Sequence, residues 1–364
     1  MLLDKLKRRN FDEFKAYVPG WQPPDIEKWI KLNTNENPYG PPKEVLDEIK
    51  SAVNDSVRLY PDPTTRKLRE LLVKMILRPM NPNLTIDNVM CGLGSDEILD
   101  LVMRAFIDAG DRIVFFRLSY GMYDVLARVY SASRIALDLD EDFKVPQNLP
   151  IPAGKLLILC SPNNPNGKSL INEEIGRFCC EFPGLVIVDE AYADFASTTA
   201  IPLLTQFPNL GVVRTFSKSF SLAGERIGFL VGSKELVDAL NTVRLPFNLT
   251  RLNQAAGIAS LRHYDKTKAI VAKIIHERER LTRVIPLRCP SLKVLPSDAN
   301  FLLIKCPSTN CARAIMETFI QQKILIRYFE KPGLETYVRM TVGTESQNEI
   351  VLANLEKVMK NFPP

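Results

Sequence analysis

Seven short apolar runs, over residues 89–91, 112–116, 133–138, 155–160, 185–189, 211–216 and 227–232, restrict the fold more than anything else in the chain. Several are continuously apolar rather than alternating, as strands become when helices cover both faces of a sheet. Between them lie stretches of helical period, such as 96–109 and 121–129, long enough to carry a crossover. Strand, helix, strand in repetition predicts an α/β fold whose mostly parallel, doubly wound sheet of seven strands spans about 80–235. In such sheets ligands sit beyond the carboxyl ends of the strands.

The flanks read differently. Residues 1–43 are rich in Pro, Asn and aromatics and read as an irregular arm. Helices are expected over 43–53 and 64–76. Past residue 250 a long charged helix over 254–283 leads to an α+β unit. Its strands are expected near 293–296, 301–305, 324–327 and 337–341, its helices over 309–322 and 345–361. A chain of 364 residues exceeds what one core usually serves. The expected division is an arm (1–43) packing on the small domain and the active site, a large ligand-binding domain (44–250) and a small C-terminal domain (251–364).

Charge and composition exclude several classes. A net charge of +5 over this length suits small anionic ligands and does not argue for nucleic acid. No uncharged apolar run reaches the ~20 residues a membrane span needs, and the first nine residues lack the apolar core of a signal peptide. The seven cysteines are scattered without a CxxC pair, as expected of reduced thiols in a cytoplasmic protein. Only His263 and His276 supply imidazole, which disfavours metal sites and Ser-His-Asp triads, so no metal is expected. Acid–base work then falls to Lys, Tyr or carboxylates.

Five stretches follow predicted strands. Gly92-Leu93-Gly94-Ser95-Asp96 could present free N–H groups to a phosphate, or be only a turn and a helix cap. The GxGxxG dinucleotide fingerprint is absent. Tyr120 could stack on a planar ring, or simply pack. Ser161-Pro162-Asn163-Asn164-Pro165-Asn166-Gly167 offers a side-chain amide on a rigid turn. Asp189 ends a buried run, where a carboxylate needs a partner; a protonated pyridine nitrogen or a structural ion pair would serve. Thr215-Phe216-Ser217-Lys218-Ser219 sets a lysine in a desolvated loop, where it deprotonates more easily and can form a Schiff base; Arg226 could add fixed charge nearby. Together, in this order, they form the parts list for pyridoxal 5′-phosphate.

The run from Ser161-Pro162-Asn163-Asn164-Pro165 through Asp189-Glu190-Ala191-Tyr192 to Ser217-Lys218 and Arg226 resembles the fold-type I, aspartate-aminotransferase-like enzymes. So do Asn33-Thr34-Asn35-Glu36-Asn37-Pro38-Tyr39-Gly40, Tyr120-Gly121-Met122-Tyr123 and Arg339-Met340-Thr341-Val342-Gly343-Thr344. The resemblance covers essentially the whole chain. It implies that Lys218 is the Schiff-base lysine and proton shuttle, and that Asp189 pairs with the pyridine nitrogen. Asn164 and Tyr192 would bind the ring hydroxyl oxygen, and Tyr120 would stack on the ring. Ser95, Asp96, Ser217 and Arg226 would hold the cofactor phosphate, joined by Tyr60 from the partner subunit of a homodimer. Arg339, Arg327, Tyr17 and Asn35 would meet substrate. Asn164-Pro165-Asn166-Gly167 departs from the family's Asn-Pro-Thr-Gly at a turn position, and Asp62-Pro63-Thr64-Thr65 departs near Tyr60. The implied reaction moves an amino group between L-histidinol phosphate and 2-oxoglutarate. Transamination of aromatic amino acids, decarboxylation of threonine phosphate and a non-catalytic cofactor-fold regulator are the alternatives.

Overall fold

The computed structural model describes residues 2–8, 11–14, 17 and 20–363. Thirteen strands follow in chain order: β1 (Ile30–Lys31), β2 (Val89–Gly92), β3 (Arg112–Phe116), β4 (Ser133–Leu137), β5 (Leu156–Cys160), β6 (Leu185–Asp189), β7 (Leu210–Thr215), β8 (Gly228–Gly232), β9 (Lys293–Val294), β10 (Phe301–Lys305), β11 (Ile324–Leu325), β12 (Arg327–Tyr328) and β13 (Tyr337–Thr341). Strands β2 to β8 form one sheet in the order β2-β8-β7-β6-β5-β3-β4. Each lies within one residue of its expected position at either end. β8 runs against its neighbours β2 and β7, and the other pairs are parallel.

The sheet buries both faces, as its apolar runs require. Val114, Leu157, Leu159, Val186, Val188 and Val212 point to one side, toward Leu68, Leu72 and Ile76. The alternate residues Ile113, Ile158, Ile187, Val213 and Leu230 point to the other, toward Ile98, Leu99 and Val102 of the helix Gly94–Phe106. A strand can serve two cores this way because successive side chains alternate faces. The register aligns one rim: Cys160 lies beside Asp189, while Gly228 lies between Thr215 and Gly92. Because β8 is antiparallel, its entering end sits at the rim where the other strands finish. That is how Arg226, which precedes β8, reaches residues that follow β2 and β7.

A second sheet, in the order β12-β13-β10-β9, is antiparallel throughout. Phe301, Ile304, Val338 and Met340 pack there with Ile274, Leu281 and Ile285 of the helix Tyr264–Arg288 and with Phe319 and Leu352.

Three expectations change. The arm is not irregular throughout, since β1 pairs in parallel with β11 and the Leu32 N–H reaches the Leu325 carbonyl. A two-residue strand is too short to leave a periodic signature. The long charged helix is two, Arg251–Arg262 and Tyr264–Arg288, separated at His263, whose backbone leaves the helical region. The strand expected over 324–327 divides into β11 and β12, which join different sheets. Among the described residues no helix is long and apolar enough to cross a membrane, and no group of His, Cys, Asp and Glu could hold a metal. All seven thiols are free.

Candidate active site

A cavity of about 910 Å³ opens at the sheet rim. From the large sheet it collects Ser95, Asp96, Tyr120, Asn164, Asp189, Tyr192, Ser217, Lys218 and Arg226. Tyr17 and Asn35 enter from the arm, Arg327 and Arg339 from β12 and β13. Residues as far apart in the chain as Tyr17 and Arg339 thus line one volume. Tyr60 lies outside it, 78% exposed, with its ring stacked at 4.5 Å on Phe247.

One part of the cavity is built for an anion. Gly94 begins the helix Gly94–Phe106 at φ +74°, and a Cβ there would meet the Arg226 guanidinium at 2.8 Å. A Cβ on Gly228 would lie 2.4 Å from the Gly94 backbone, so two glycines let this turn close. Arg226 donates to Ser217 Oγ at 3.3 Å, to the Ala223 carbonyl at 3.2 Å and to Asp96 Oδ2 at 3.4 Å. The first N–H groups of a helix have no intrahelical partner and carry positive partial charge. With an arginine and a hydroxyl beside them they suit a phosphate.

A second part presents a carboxyl group and flat polar groups. Asp189 is 3% exposed at the end of β6. Its two oxygens are held by neutral donors, the Tyr123 hydroxyl at 2.7 Å and the Ala191 N–H at 3.1 Å. Burial, the largest cause, pushes its pKa from 3.8 up to about 6. A buried carboxyl in this condition fits a cationic ring nitrogen, which would repay the lost hydration. Tyr120 donates to Asp96 Oδ1 at 3.2 Å, and its ring meets Tyr17 edge-on at 5.7 Å. The Asn35 amide donates to the Tyr192 hydroxyl at 3.0 Å, leaving that hydroxyl's own proton for another acceptor. Burial raises the Tyr192 pKa, so it remains a donor. The Asn164 carbonyl oxygen takes an N–H of Arg339, which leaves the amide NH₂ to donate elsewhere.

Lys218, partly buried, donates to the Thr34 carbonyl at 3.0 Å. Burial first and the Arg339 cation second lower its pKa from 10.5 to about 8. Arg339, in the middle of β13, also donates to the Asn33 carbonyl at 2.7 Å; burial lowers its pKa to about 10. Its Nε is buried with no partner, a donor left over for an anion. The guanidinium lies over the Phe301 ring at 5.2 Å and the Phe329 ring at 5.6 Å.

Sequence reasoning passed over one side chain that holds a site residue and one buried ion pair that lies outside the cavity lining. Tyr123 holds Asp189, and its signal was its place three residues after Tyr120 at a helix start, one turn along the same face. Arg214 and Glu190 form a buried ion pair at 2.8 Å that also engages Thr199 and Asp194. The charged residue inside the β7 run was its signal.

The profile of the family described as aminotransferase class I and II matches residues 27–355. The chain is 38% identical over 339 residues to a histidinol-phosphate aminotransferase of Synechocystis, covering 93% of this chain and 94% of that protein. The chain belongs to the class I and II aminotransferases. A histidinol-phosphate aminotransferase of Rippkaea orientalis is 35% identical over 343 residues, 94% of this chain and 95% of the relative. The crystal structure of histidinol-phosphate aminotransferase from Sinorhizobium meliloti in complex with pyridoxal 5′-phosphate has a TM-score of 0.83 to this aminotransferase at 26% identity. That match covers 95% of this chain and 96% of the other. The donors in this aminotransferase fit the same group. Beside the N–H and guanidinium donors at Gly94 and Arg226 stand a buried carboxyl that accepts its two hydrogen bonds from neutral groups and a lysine with a depressed pKa.

Proposed function

We propose that this aminotransferase uses pyridoxal 5′-phosphate to move an amino group between L-histidinol phosphate and 2-oxoglutarate, giving imidazole-acetol phosphate and L-glutamate in histidine biosynthesis. The observation that carries the reading is one cavity with two separate cationic groups, Arg226 at the helix N-terminus and Arg339 with Arg327, joined by Lys218 and Asp189. One group suits the cofactor's phosphate and the other the substrate's anion. Relatives that match over nine-tenths of the chain and bear the name histidinol-phosphate aminotransferase support the choice of substrate.

When bound, the cofactor supplies an electron sink that stabilises negative charge at the substrate Cα. The chain's residues do the rest. The cup at Gly94, Ser95, Asp96, Ser217 and Arg226 binds the phosphate, and Tyr120 covers the ring. Asp189 faces the ring nitrogen, while the Asn164 amide and Tyr192 hydroxyl donate to the ring oxygen. Lys218 Nζ, with its lowered pKa, takes a proton and returns it within the cavity. Arg339 offers a fork that accepts a carboxylate or a phosphate equally well, so one site can receive both substrates. Tyr17 and Asn35 close the arm side. In this reading the protein is a cytoplasmic homodimer, Tyr60 reaches the partner's phosphate cup, and the arm, large and small domains divide at about 43 and 250.

The test is an assay of the purified, cofactor-loaded protein with histidinol phosphate, phenylalanine and threonine phosphate in turn. Glutamate formed from 2-oxoglutarate and histidinol phosphate is the expected result. Rapid transamination of phenylalanine with none of histidinol phosphate would overturn the substrate assignment, and carbon dioxide from threonine phosphate would overturn the reaction class.

A further inference from the structure

Asp189 lies at the end of a buried strand, and its direction is set by two hydrogen bonds. The Ala191 N–H comes from its own chain turn and follows the backbone. The Tyr123 hydroxyl comes from a different element, the first turn of the helix Met122–Val129, and reaches Oδ2 at 2.7 Å. Tyr123 is fully buried, and its ring is wedged edge-on between Phe115 at 6.3 Å and Tyr120 at 5.6 Å. With both sides of the ring held, the hydroxyl is kept beside Asp189 and the Cys160 thiol, and its close contact is with the carboxylate. Tyr120, one turn back, carries its own hydroxyl to Asp96 and lines the cavity. One helix start therefore sets a ring-covering side chain and a carboxylate-holding side chain together.

We propose that Tyr123 is a positioning residue for Asp189, fixing the direction of its carboxylate toward the ring nitrogen of the bound cofactor. This rests on the pyridoxal 5′-phosphate reading above. Tyr123 touches neither cofactor nor substrate in this assignment; it acts through Asp189. A hydrogen bond to a charged acceptor strengthens the charged form, and removing it weakens whatever that charge was holding.

The experiment replaces Tyr123 by phenylalanine, which keeps the ring and its contacts with Phe115 and Tyr120. Dissociation constants are measured by absorbance titration for pyridoxal 5′-phosphate and for its analogue carrying carbon in place of the ring nitrogen. Both ligands share the phosphate, the aldehyde and the ring shape; only the first offers Asp189 a nitrogen. Tyr123→Phe is expected to weaken the natural cofactor about tenfold, the scale of one charge-assisted hydrogen bond, and to leave the analogue within about twofold. Equal weakening of both ligands would assign Tyr123 to packing alone and overturn the proposal, as would no change in either. If the unsubstituted protein binds neither ligand, the cofactor reading itself fails, and the proposal with it; that result is distinguishable from the other two before any variant is made.

Discussion

The depressed pKa of Lys218 gives the sharpest quantitative test. An ordinary lysine amine titrates at 10.5, and Lys218 is lowered to about 8 by burial and by the Arg339 cation. At pH 7 an amine of pKa 10.5 is neutral in about one molecule in 3,000, and one of pKa 8 in about one in ten, roughly a 300-fold gain in nucleophile. The cofactor-free protein can be labelled with a trace of acetic anhydride across pH 6–11, and the Lys218 peptide followed by mass spectrometry. Its acetylation is expected to rise with a midpoint near 8, well before that of exposed lysines such as Lys43. The sign of the Arg339 contribution follows from Coulomb's law, since a neighbouring cation disfavours the ammonium form. Arg339→Gln removes that cation and should move the midpoint upward. A midpoint above 10 in the unsubstituted protein would refute the argument from burial. A downward move in Arg339→Gln would refute the argument from charge.

Three further outcomes follow from the same geometry. Arg339→Ala should raise KM for both substrates, with a loss of about 1.5–3 kcal/mol in kcat/KM from charged hydrogen bonds; steady-state kinetics that change for one substrate only would show separate anion sites. Arg214→Ala strands Glu190 as a buried charge and should cost about 3–5 kcal/mol, read as a lower urea midpoint. A loss under 1 kcal/mol would show that Glu190 is neutral or rehydrated. Asp189→Asn should stabilise the cofactor-free protein at pH 7.5. A folded pKa of about 6 against 3.8 corresponds to a cost of up to about 3 kcal/mol for the charged form. The penalty is absent well below pH 3.8, where the carboxyl is protonated in both states, and grows as pH rises from 3.8 through about 6; thermal melts that show no such pH window would contradict it.

The sheet was legible because its strands are unmixed apolar runs, and a run such as 156–160 has no other stable home than between two helical layers. The site was legible where a chemically demanding residue ends such a run, as Asp189 does, or closely follows one, as Lys218 does. What escaped depends on contacts made across the fold. Tyr123 reads as one aromatic of an apolar helix face until Asp189 is placed opposite it. The carbonyls of Asn33 and Thr34, which receive Arg339 and Lys218, have no side-chain signature at all. The strand β1 was invisible because its partner lies almost three hundred residues away, and no local pattern records a pairing of that kind. The antiparallel course of β8 was likewise not written in its own apolar run; only pairing on both edges reveals it.

The pairing of β1 with β11, continued by the bonds from Arg339 to Asn33 and from Lys218 to Thr34, has a consequence for the order of events at the ribosome. The arm is translated before the large sheet and its partners in β11 and β13 after it, Arg339 standing 306 positions after Asn33. At about 5–20 residues per second that interval lasts roughly 15–60 seconds. Once β8 has been made the large sheet has all its strands, yet Leu32 and its neighbours still have no edge to join. The nascent chain can bring Arg226 to Ser217 before it can bring Arg339 to Asn33. Closure of the cavity on the arm side therefore waits until β11 and β13 have both been made.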